Sequence, residues 1–140
     1  MNSFRFLIAM LIVTGLAALS CAGPNQIQLT SSPDIPGAQS TAKVSTTDNG
    51  NTQIDLIVEH LASPERIDQD ATTYVVWVRG NEAEAQPQNL GALKVDDDLK
   101  GSISATTPLR SFDLYITAEP SQLSTAPKGR TLLYTTVAMK

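Results

Sequence analysis

Apolar and polar residues alternate in short runs from Ser40 to the end of the chain. Residues 42–47 and 53–58 each have a period of two, which places every second side chain on the same face of a strand. Asp48-Asn49-Gly50-Asn51 between them is a turn signal, because Asn and Gly tolerate a positive φ. The two segments therefore predict a β-hairpin.

Five further strands follow the hairpin. They are predicted over residues 72–79, 89–95, 101–106, 112–117 and 131–138. The first of these is β-branched and apolar on both faces, which is typical of a central strand, and Trp77 is expected to anchor the core. About seven short strands without a sustained helical period predict an all-β protein, an immunoglobulin-like antiparallel β-sandwich over residues 40–140. A small barrel is the alternative.

A different pattern opens the chain. Arg5 precedes an apolar run from Phe6 to Ala18, and this combination is typical of a signal peptide. A spanning helix needs about 20 apolar residues, and this run is shorter. We therefore expect a cleaved signal peptide over residues 1–20.

The end of that run contains the only cysteine of the chain. Ala18-Leu19-Ser20-Cys21 resembles the lipobox of bacterial lipoproteins, although Ala18 stands where Leu is commoner. The resemblance implies a diacylglycerol on the Cys21 sulfur, cleavage before Cys21 and acylation of the new amine. Ala22 stands where an Asp would retain a lipoprotein in the inner membrane, so the resemblance favours the outer membrane, facing the periplasm.

Residues 22–39 contain three prolines and two glycines and show no apolar period. This composition predicts a disordered tether after the lipidated Cys21, with an average end-to-end distance of roughly 20–25 Å. A single cysteine also means that no disulfide forms within the chain, so the domain is expected to be held together by packing.

The net charge of the mature chain argues against one class of partner. Cleavage of the predicted signal peptide removes Arg5, one of the ten basic residues, and none of the fourteen acidic residues. The mature chain therefore has a net charge of about −5. Nucleic acid is therefore not an expected partner.

His60 is the only histidine and no Gly-x-Ser-x-Gly motif occurs, so neither a zinc site nor a serine nucleophile is predicted. Acidic groups in turns and loops are interpreted as solvated surface rather than as calcium or acid–base sites: Asp96–Asp98, Glu65 with Asp68, and Glu82 with Glu84. No cofactor, metal or small-molecule substrate is expected.

One strand offers a contact surface. Tyr115 shares a strand face with Asp113 and Thr117, and an exposed tyrosine is a common interface residue. Asp113, Tyr115 and Thr117 are therefore predicted to form a partner surface. An aromatic ligand site of Trp77, Tyr115 and Tyr134 is the alternative.

Residues 72–130 also resemble a known domain. The matching blocks are Tyr74-Val75-Val76-Trp77, Asn89-Leu90-Gly91-Ala92-Leu93, Phe112–Pro120 and Pro127-Lys128-Gly129. They resemble the extracytoplasmic domain of anti-sigma-K-type regulators and uncharacterised envelope lipoproteins that carry this domain alone. The regulators also have a sigma-binding segment and a membrane span, which this sequence lacks, so the resemblance implies the fold and the compartment but not sigma-factor binding.

The sequence thus predicts a membrane-anchored envelope lipoprotein without enzymatic activity. Its β-sandwich is expected to present an interaction or scaffolding surface to an unidentified envelope protein. Two alternatives stay open: a sensory or regulatory module, and a small-ligand-binding protein, which would need a deep pocket lined by convergent polar groups.

Overall fold

The computed structural model describes residues 23–140, so the predicted signal peptide and Cys21 lie outside the described residues. These residues form ten strands and one helical turn. The strands are β1 (Asn25–Ile27), β2 (Thr30–Ser31), β3 (Gln39–Thr46), β4 (Thr52–Glu59), β5 (Thr73–Gly80), β6 (Gln88–Ala92), β7 (Lys94–Val95), β8 (Gly101–Thr107), β9 (Ser111–Glu119) and β10 (Thr131–Ala138), and the turn is α1 (Pro64–Ile67).

The strands make two antiparallel five-stranded sheets packed face to face. Sheet A has the order β1-β3-β4-β8-β7, and sheet B has the order β2-β10-β9-β5-β6. Strands β3-β4-β8-β7 follow the A-B-E-D order of an immunoglobulin domain, and β5-β9-β10 follow its C-F-G order. The predicted all-β sandwich is confirmed, and so is the hairpin, in which β3 pairs with β4 along its whole length around the positive-φ Gly50.

Alternate side chains of both sheets fill the space between them. Sheet A contributes Val44, Ile54 and Leu56, and sheet B contributes Phe112 and Leu114, all of them fully buried. Burial of a side chain of this size stabilises the folded state by about 1.5–3 kcal/mol. The period of two that predicts the strands is therefore the pattern that builds this core.

The prediction of a disordered tether over 22–39 is wrong for residues 25–38. β1 pairs with β3 of sheet A, and β2 pairs with β10 of sheet B. Leu29, Ile35 and Ala38 are buried in the core, although their spacing follows neither a helical nor a strand period. The segment is part of the domain because it closes one side of the sandwich.

The other side of the sandwich is closed in the same way. The single strand predicted over 89–95 is two strands, since the chain leaves sheet B after β6 and joins sheet A at β7. Leu93 lies at this crossing and is buried. Both sheets thus end in edge strands of two to five residues, and short edges protect a sheet from pairing with other chains.

Candidate functional site

Three aromatic side chains form a row across the outer face of sheet B. Trp77 on β5 pairs with Tyr115 on β9, and Tyr115 pairs with Tyr134 on β10. Directly opposite residues in antiparallel strands have Cβ atoms about 4.5–5.5 Å apart, so the three side chains are neighbours. Their exposure differs: Trp77 is fully buried, Tyr115 is partly buried and Tyr134 is 53% exposed.

The difference arises from residues 120–130, which we call the strap. The strap leaves β9 and returns to the adjacent β10, but midway the carbonyls of Gln122 and Ser124 accept hydrogen bonds of 3.0 and 2.8 Å from the amide of Asn89 on β6. Because β5 lies between β9 and β6, the strap crosses the outer face of β5. Asn89 pairs directly with Trp77, so the strap covers the indole.

Trp77 is buried as expected, but it does not lie in the core between the sheets. That core contains Tyr74, Val76 and Val78 from β5, so Val75 and Trp77 point to the opposite face. There the indole N–H donates a 2.9 Å hydrogen bond to the hydroxyl of Thr117. Trp77 therefore anchors a second, smaller cluster beneath the strap, a role that strand alternation alone cannot reveal.

The prediction that Thr117 belongs to an accessible surface is wrong, because the strap covers this residue. Asp113, Tyr115 and Thr117 share a face as predicted, but Thr117 is buried and so cannot belong to an accessible partner surface. Its hydroxyl accepts from Trp77 and donates to the carboxylate of Glu119. The structure brings Asp113 and Tyr115 together at the surface and places Thr117 under the strap.

Glu119 holds the end of the strap. Its side chain is fully buried, and Oε1 also accepts hydrogen bonds from the backbone N–H groups of Lys128 at 2.9 Å and Gly129 at 3.1 Å. Within residues 23–140, Oε2 has no hydrogen-bond partner. Gly129 is required at this contact, because a Cβ there would lie 2.1 Å from the carbonyl oxygen of Ala118.

Beside the strap lies an open groove of about 540 Å³, which we call the tyrosine groove. It is lined by Arg79, Asp113, Tyr115, Pro127, Gly129, Thr131 and Tyr134. Arg79 and Asp113 form an ion pair at 3.1 Å, and the second oxygen of Asp113 accepts a 2.8 Å hydrogen bond from Thr136. Burial raises the pKa of Tyr115, and the carboxylate of Asp113 raises it further, while Arg79 lowers it. The phenol is therefore neutral at physiological pH.

His60 and Asp96 lie on sheet A or in its turns, away from the tyrosine groove on sheet B. His60 directly follows β4 of sheet A and has a positive φ of 58°, so it lies on the sheet opposite the tyrosine groove. Asp96 uses one carboxylate oxygen to accept from the N–H groups of Asp98 and Lys100, which closes the turn before β8. Among residues 23–140, no group of three His, Cys, Asp or Glu side chains is arranged to hold a metal ion.

A larger depression of about 700 Å³ lies where β1 passes to β2. Its lining includes Gln28, Ser40 and the Glu59–Lys100 ion pair, and none of the described residues that line it is aromatic. Ser40 is committed to the fold there, because its hydroxyl bonds the backbone of Leu29. The tyrosine groove is therefore the better candidate for binding.

Neither a protein-family model nor a curated protein matches this chain. In the part of the chain that the structure describes, no helix is long and apolar enough to cross a membrane.

Proposed function

We propose that the protein is an exported envelope lipoprotein without enzymatic activity, attached to the outer membrane through lipid on Cys21. In this proposal its β-sandwich binds a partner protein in the tyrosine groove. The attachment is supported by the signal pattern of residues 1–20 and by the Ala18-Leu19-Ser20-Cys21 motif.

The exposed Tyr134 beside Tyr115 is the observation that carries the binding role. Tyr115 lies on β9, which is paired along both sides, and Tyr134 is paired with Tyr115 on one side and with Thr30 of β2 on the other, so the backbone holds both residues in place before any partner arrives. Tyrosine combines a large apolar ring with a polar hydroxyl and loses little conformational freedom on binding, which is why it is common in protein interfaces.

The charges of the groove favour an uncharged segment of the partner. Arg79 and Asp113 neutralise each other, and Thr136 occupies the second oxygen of Asp113. The groove thus offers apolar rings, Pro127 and hydroxyl groups, and among residues 23–140 its lining holds no unpaired charge. A small ligand would need convergent polar groups to orient it, and the two charged groups of this groove, Arg79 and Asp113, are already bonded to each other.

Site-specific photocrosslinking in cells tests this proposal. A photoreactive residue at position 134 is expected to trap a discrete protein, and the same residue at position 57 is the control. Ile57 is 39% exposed on the outer face of sheet A. When Tyr115→Ser is combined with the photoreactive residue at position 134, the affinity for the trapped protein should fall at least about tenfold, as expected for a central interface residue. Equal adducts from both positions, or none from position 134, would contradict the proposal.

A further inference from the structure

The first described strand fixes where a lipid on Cys21 would meet the domain. Asn25 pairs with Val44 near the end of β3, and β1 runs from there towards Ala42. Gly23 and Pro24 lie in a groove beside Ser45, Thr46 and residues 138–140. The chain therefore enters the sandwich at the end that carries the 47–51 and 108–110 turns, which we call the proximal end.

The distance to the lipid is short. Cys21 precedes Asn25 by four residues, and four extended residues reach at most about 14 Å. An eight-residue strand such as β3 or β4 is about 26 Å long, so the opposite end of the sandwich lies well beyond this reach. We call that opposite end, with residues 60–72 and the 96–100 turn, the distal end.

Charge distinguishes the two ends. The distal segments, which also include residues 32–38 and the strap, carry seven acidic residues against four basic ones, Arg66, Lys100, Lys128 and Arg130. The proximal turns, the loop 81–87 and residues 138–140 carry three acidic residues against Arg110 and Lys140. The surface of a membrane with anionic lipids has a negative potential, so it repels the distal end more strongly than the proximal end.

We infer that the sandwich stands on the membrane, with its proximal end against the lipid headgroups and its acidic distal end pointing away. This inference rests on the proposed attachment through Cys21. It differs from a domain on a long tether, which would sample all orientations. The tyrosine groove then lies on the side of the domain, since it follows the outer face of sheet B between the two ends.

A quenching experiment on the full lipidated chain tests the orientation. The thioether on Cys21 removes its thiol, so an introduced cysteine is the only one that reacts with a fluorophore. Asp48→Cys and Asp97→Cys are a matched pair, because both residues are exposed aspartates in turns, one at each end. The chains are reconstituted in vesicles of phosphatidylcholine and phosphatidylglycerol that contain a lipid with a nitroxide on its headgroup.

Quenching at position 48 should be several-fold stronger than at position 97. A flexible Gly-Ser insert of about ten residues between Ala22 and Gly23 adds roughly 17 Å of average reach and should remove most of this difference. Chains that float with the vesicles but are quenched equally at both positions, or more at position 97, would overturn the orientation alone. Chains that do not float with the vesicles would overturn the attachment and the orientation together.

Discussion

Glu119 is the residue on which the arrangement of the candidate site most depends. One carboxylate oxygen gathers three hydrogen bonds, from Thr117 and from the N–H groups of Lys128 and Gly129. A hydrogen bond within a protein contributes about 0.5–1.5 kcal/mol, and a buried N–H left without an acceptor costs about 1–3 kcal/mol. Glu119 therefore ties the strap to β9 and keeps Trp77 covered.

Glu119→Ala should release the strap while the sandwich stays folded. We expect a loss of about 2–3 kcal/mol in the free energy of unfolding, because two backbone N–H groups lose their acceptor. Trp77 is the only tryptophan, so its emission should shift to the red and its quenching by acrylamide should rise several-fold. The exposed Glu84→Ala is the control, and unchanged quenching in Glu119→Ala would refute this role.

The residues of the candidate site could be predicted only in part. Strand alternation correctly places Asp113, Tyr115 and Thr117 on one face. Alternation cannot show that the strap folds back over this face. The two residues that hold the strap, Asn89 and Glu119, are far from one another in sequence. Burial of Thr117 and the placement of Trp77 therefore follow from packing and not from local pattern.

At the scale of elements, the hydrophobic pattern predicts long strands well and short ones poorly. β3, β4, β9 and β10 have eight or nine residues, enough for the alternation to be visible, and their predicted positions agree with the structure within a few residues. β1, β2 and β7 have two or three residues, which is less than two periods. They exist because neighbouring strands offer an edge to pair with.

Substitution of Ile35 tests whether residues 25–38 belong to the domain. The side chain is 5% exposed in the core, whereas Leu123 at the surface of the strap is 79% exposed and serves as the control. Ile35→Ala should lower the free energy of unfolding by about 2–4 kcal/mol, as expected for loss of a buried aliphatic side chain. Leu123→Ala should change it by less than about 0.5 kcal/mol. Urea denaturation measures both, and equal stabilities would mean that the segment does not pack as described.

At the scale of the whole molecule, the sandwich is closed on both sides by segments that cross from one sheet to the other. β1 and β2 make one crossing, and β6 and β7 make the second. The described residues therefore extend the fold to within a few residues of Cys21. The described residues are therefore a closed β-sandwich that begins directly after the proposed lipid anchor, with the tyrosine groove on its side.

The mass of the mature N-terminal peptide isolated from cells tests the central claim, attachment through lipid on Cys21, most directly. We predict a peptide that begins at Cys21 and carries a diacylglycerol and an amide-linked acyl chain, and a Cys21→Ala variant that is lost from the membrane fraction. Two or more acyl chains are enough for stable attachment without a spanning helix. An unmodified N-terminus, or a Cys21→Ala variant that stays in the membrane, would contradict the account.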